Sequence, residues 1–107
     1  MMLHITSEGH PSTTLSVSGE VDLSTAGELE AELGKAIGAA GTEEVVTDVA
    51  GVSFMDSAGL RVLVGALRLA DERGVRLTVV NPQSQLRKII EITGLSEVLG
   101  LNGPATA

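Results

Sequence analysis

Hydrophobic positions along the chain keep two rhythms, and their order predicts an α/β fold. Leu3 and Ile5 alternate with His4 and Thr6, and Leu15 and Val17 alternate with Thr14, Ser16 and Ser18, the period of half-buried strands. Glu8-Gly9-His10-Pro11-Ser12 between them is turn chemistry, so the chain opens with a β-hairpin. After Gly19-Glu20-Val21-Asp22, the residues Ala26, Leu29, Leu33, Ala36, Ile37 and Ala40 keep the three-and-four spacing of a buried helical stripe. Thr25 stands three residues before Glu28 as in a capping box, with Ser24 as the alternative cap, and Gly41 is the expected stop.

The second half repeats the alternation of rhythms. Val45, Val46 and Val49 form one β-branched run and Val75 to Val80 another, and Leu60, Leu63, Val64, Leu67 and Ala70 make a helical stripe between them. Arg61, Arg68 and Glu72 fall on its opposite, wet face. A strand, helix and strand in this order form a right-handed crossover with parallel strands. A third helix is expected after Asn81-Pro82, with Asn81 as cap, Pro82 in the first turn, Leu86, Ile89 and Ile90 buried and Gly94 as the stop. Ser96-Glu97-Val98-Leu99 adds at most one more turn. The expectation is one domain over residues 1–107, with a mixed, mostly parallel sheet of about four strands, an N-terminal hairpin and three to four packed helices.

Composition narrows this further. Phe54 is the sole aromatic residue, so the core is aliphatic and Phe54 is expected to plug it. A net charge of −7 opposes nucleic acids and anionic membrane surfaces. The absence of cysteine removes disulfides, thiolate chemistry and Cys-based zinc sites. Met1 to Pro11 lacks a signal-peptide pattern, and no apolar run reaches the roughly 18 residues of a membrane span. A soluble cytoplasmic protein is expected.

Loops leaving the carboxyl ends of parallel strands gather on one rim. With the second strand taken as parallel to the third, Gly19–Ser24, Ala50–Asp56 and Asn81-Pro82 bring Asp22, Ser57 and Asn81 to it. Ser57 stands directly before a helix, where serine is ordinarily an N-cap. Leu60 supplies no reciprocal Glu, and Met55 divides between core filler and flexible partner contact. The functional alternative is that free N–H groups and the helix dipole would hold a phosphate on Ser57. That phosphate would bring about −1.5 to −2 charges beside Asp56, and near Asp22 and Glu20. Ala58 and Gly59 leave the hydroxyl thinly covered.

Other chemistries lack their parts. Ser57 has no catalytic base in sequence reach, because His4 and His10 lie in the hairpin, and Asp-Ser-Ala-Gly is no nucleophile elbow. There is no P-loop and no metal-ligand spacing, so no enzyme activity, cofactor or metal is expected. A phosphate-accepting receiver built on Asp48 would need an acidic pair after its first strand and a lysine after its last. Asp48 reads instead as an acid that binds nearby backbone N–H groups.

The run VVTDVAGVSFMDSAGLRVL from Val45 to Leu63, with GEVDLSTA from Gly19 to Ala26, resembles the bacterial STAS-domain anti-sigma factor antagonists across nearly the whole chain. The resemblance implies the STAS fold and a phosphorylation-controlled partner switch. Ser57 would be the phosphoacceptor of an anti-sigma factor serine kinase; the unphosphorylated form would bind that kinase and free a sigma factor, and a serine phosphatase would reset it. Asp22 would lie close to the phosphate, Asp56 would help shape the loop, and both would belong to the partner-binding surface with Met55, Ala58 and Gly59, the last three touching the kinase. Many relatives carry a second hydroxyl where this chain has Ala58, which leaves Ser57 as the lone acceptor. The alternative is a constitutive STAS subunit of a scaffold or transport system, without phosphorylation.

Overall fold

A computed structural model describes residues 3–94, and its first two strands are the expected hairpin. β1 (Leu3–Glu8) and β2 (Ser12–Val21) run antiparallel, in register from Leu3 opposite Gly19 to Glu8 opposite Thr14. Then follow α1 (Ala26–Gly38), β3 (Glu44–Met55), α2 (Ser57–Arg73), β4 (Arg76–Val80) and α3 (Ser84–Thr93). The sheet order is β1-β2-β3-β4, with β3 parallel to both β2 and β4. The parallel second strand required for a shared rim is therefore present.

One face of this sheet builds the core. Thr13, Val45 and Leu77 stand side by side across β2, β3 and β4, as do Leu15, Thr47 and Val79, and all six are buried. The neighbouring row Ser16, Asp48 and Val80 points the other way and keeps solvent contact. Helices α1 and α2 pack together and against the sheet through Leu29, Leu33, Ile37, Leu63 and Ala70. Each fully buried leucine contributes about 2 kcal/mol.

The largest departure from the expected pattern is β3, which continues for 12 residues through the segment expected to be a loop. Two register shifts against β2 make this possible: Ser16 pairs with Asp48 but Ser18 with Gly51, and Gly19 pairs with Val52 but Glu20 with Phe54. Each shift places an extra residue in β3, so the buried positions step by three, Val49 to Val52 to Met55. Phe54 is thereby turned outward and is 40% exposed, while Met55 is fully buried at 0%. The expectation of Phe54 as the core plug is reversed by a phase change that alternation does not announce. Gly51 fits the first shift because a Cβ there would stand 2.6 Å from the Ser18 Cβ.

Element ends differ locally. α1 stops at Gly38 with Ala39 as an extended C-cap, not at Gly41, and Ala40 is exposed. The helix after Pro82 begins at Ser84 with Gln83 as its N-cap, because Asn81 takes a left-handed turn at φ 61°. Gly94 closes α3 as expected. The possible turn at Ser96–Leu99 lies outside the described residues. Since β4 ends opposite Asp48, α3 packs against the rest of β3, where Gln83 Nε2 donates to the Ala50 carbonyl at 2.7 Å. No helix among the described residues is long and apolar enough to cross a membrane.

Candidate functional site

The turn after β2 is organised by Asp22. Its carboxylate accepts from the Ser24 hydroxyl at 2.7 Å, the Ser24 N–H at 2.9 Å and the Thr25 N–H at 3.2 Å. The Ser24 hydroxyl bond is the main cause that holds the Asp22 carboxyl below its ordinary pKa; partial desolvation opposes it, and the two backbone bonds assist. The expected capping box at Thr25 does not form. Thr25 donates its hydroxyl back to the Glu20 carbonyl at 2.9 Å, and so locks the start of α1 to the end of β2.

The start of α2 follows the same logic with a different residue. Asp56, in extended conformation, is the N-cap: its Oδ1 accepts from the Ala58 N–H at 2.9 Å and the Gly59 N–H at 3.4 Å. Ser57 is the first helical residue and is exposed, so its hydroxyl is not the cap. Two of the first-turn N–H groups expected to hold a phosphate, those of Ala58 and Gly59, are thus already engaged by Asp56. The Asp56 N–H donates to the Val21 carbonyl at 3.1 Å, which fastens the start of α2 to the residue before Asp22.

Asp22, Asp56 and Ser57 therefore share one corner of the molecule, but Asn81 does not. Its side chain donates to Asp48 at 3.3 Å, halfway along β3, because β4 is seven residues shorter than β3. Asp48 also accepts from the Ala50 N–H at 3.0 Å beside the first register shift, the backbone role expected of it.

Two expected partner contacts lie inward. Met55 has no exposed surface, and Gly59 is buried against it: a Cβ on Gly59 would come within 2.5 Å of Met55 Cγ and 2.7 Å of Val21 Cγ1. Both residues shape the corner from below. Ala58, partly exposed, lines a hollow of about 250 Å³ between the starts of α1 and α2, together with Leu23, Ala26, Glu30 and Arg61. Leu23 is 84% exposed. Periodicity does not flag Leu23, since its spacing from Ala26 fits the buried stripe and only the Asp22 turn swings it out. His4 stands on β1 opposite Ser18, and His10 lies within hydrogen-bond distance of the Ala40 carbonyl at 3.0 Å.

A four-stranded mixed sheet thus carries an exposed serine as the first residue of the crossover helix between β3 and β4. The chain belongs to the STAS domain family, whose profile matches residues 4–104. It is 34% identical over 86 residues to an anti-sigma-B factor antagonist of Staphylococcus epidermidis, an alignment that covers 80% of this chain and 79% of the relative. The crystal structure of an anti-sigma factor antagonist from Mycobacterium paratuberculosis superposes with a TM-score of 0.81 at 29% identity, over 92% of this chain and 83% of that one. The unphosphorylated form of the anti-sigma factor antagonist SpoIIAA shares the fold, with a TM-score of 0.77 at 23% identity over 88% and 84% of the two chains.

Proposed function

We propose that this chain is an anti-sigma factor antagonist that works as a phosphorylation-controlled partner switch in the cytoplasm. The observation that carries the reading is the division of labour at α2: Asp56 caps the helix, so Ser57 is exposed and has no capping duty. An anti-sigma factor with serine kinase activity would dock on the corner formed by the Asp22 turn, the exposed Leu23 and Phe54, and the first turn of α2. In its active site the Ser57 Oγ attacks the γ-phosphorus of ATP. An O–P bond forms as the bond to the bridging oxygen breaks, ADP leaves, and the hydroxyl proton passes to a base of the kinase. A serine phosphatase reverses the modification by hydrolysis.

The switch is electrostatic. A phosphate adds about −1.5 to −2 charges next to Asp56 and the Asp22 turn, at the surface that the partner must cover. The relatives' designation as anti-sigma factor antagonists supports this reading.

The test pairs the purified chain with its anti-sigma factor and ATP, followed by intact mass and peptide mapping. Phosphate is expected on Ser57 and absent from Ser57→Ala. Ser57→Ala is expected to bind the partner as the parent does, whereas Ser57→Asp loses about tenfold or more in affinity, mostly as faster dissociation. Phosphate that persists in Ser57→Ala, or equal binding by the Ala and Asp variants, would sink the proposal.

A further inference from the structure

We infer that Arg61 receives the phosphate of phosphorylated Ser57, so that the modification both adds charge and ties up the cation beside it; this rests on the reading of Ser57 as a phosphoacceptor. Three observations converge. Asp56 already occupies the Ala58 and Gly59 N–H groups, so the opening turn offers those donors to no second anion. Arg61 follows Ser57 by four residues on α2, and both are exposed. Side chains at that spacing share one helix face with Cβ atoms about 5–6 Å apart, and an acid placed N-terminal to a cation is the favoured order. Lastly, Arg61 is uncommitted. The ion pairs among the described residues are Lys35–Glu32 and Arg76–Glu44.

The charges that surround this pair decide how strongly Arg61 is drawn. Asp56 from the cap, Asp22 from the turn, Glu20 from the end of β2 and Glu30 from α1 are acids. Glu30 lines the same hollow as Arg61 but forms no ion pair with it. A phosphate with up to two charges and three acceptor oxygens outbids a single carboxylate, and the guanidinium fork matches its geometry. Arg68, a further seven residues along α2, lies about 10 Å beyond Arg61 along the helix axis and is out of reach.

The experiment installs phosphoserine at position 57 by semisynthesis, which requires no kinase, and follows the phosphorus NMR shift against pH in the parent, Arg61→Gln and Arg61→Lys. The second phosphate pKa, ordinarily about 6, is expected to rise by about 0.3 in Arg61→Gln relative to the parent. Arg61→Lys should recover part of the difference, and 1 M salt should erase it. Identical titrations of the parent and Arg61→Gln at low salt, with circular dichroism showing both folded, would overturn the assignment. That result would leave Ser57 as an acceptor untouched, whereas failure of a kinase to modify Ser57 bears on the preceding proposal alone.

Discussion

At the residue scale, the site is built by two aspartates that take the roles expected of hydroxyls. Asp56 caps α2 in place of Ser57, and Asp22 holds the turn in place of a Thr25 capping box. The sequence shows both acids plainly, and it places the cap of α2 within one residue, at Ser57 where the structure has Asp56. It leaves the choice of cap open, because Ser, Thr and Asp all suit that position and only the backbone angles decide between them. Asp22 also gives a pH signature. Its folded pKa is depressed by the bonds from Ser24 and Thr25, so its contribution to stability is complete above its unfolded pKa of about 3.9. That contribution is lost as pH falls through the lower folded value. Urea midpoints of the parent and Asp22→Asn should therefore differ most above about pH 4 and converge in stronger acid. A gap that stays constant into strong acid would contradict this.

At the element scale, β3 sets the geometry of the site. Its buried residues follow a step of two from Val45 to Val49 and a step of three from Val49 to Met55. Alternation alone ends the strand near Val49, because extra residues at register shifts leave no periodic trace. Gly51 is the one legible hint, and a glycine in that position fits a loop equally well. The shift delivers Met55 beneath α2, and Gly59 makes room for it. In an open helix position Gly→Ala stabilises by about 1 kcal/mol, and Gly65, where an added methyl would meet no other heavy atom within 4 Å, should show that gain in chemical denaturation. Gly59→Ala should instead lose about 1–3 kcal/mol, since the added methyl overlaps Met55 and Val21. Equal signs for the two variants would refute the packing account.

At the scale of the whole molecule, the hairpin and the crossover unit are legible in the sequence because each rests on a repeated pattern several residues long. The strand order follows from short connections and right-handed crossovers. The position of Asn81 is not legible, since it depends on β4 being shorter than β3, and strand length is set by what packs alongside, here α3. The helix-covered face carries one anomaly. Thr47, at the centre of the sheet between Leu15 and Val79, is fully buried with no hydrogen-bond partner for its hydroxyl. Valine has the same shape without the stranded oxygen, so Thr47→Val should stabilise the fold by about 1 kcal/mol. A lowered melting temperature would show that the hydroxyl has a partner after all.

The bond from the Asp56 N–H to the Val21 carbonyl joins the two halves of the presented corner through the sheet itself. Under the proposed function a partner would therefore meet a preformed epitope, and little ordering entropy would be lost on docking. Under the proposed function, signalling needs no refolding step. The duration of the off state is then set by the hydrolysis of one phosphoester, and the fold serves as a passive clock face on which other enzymes move the hand.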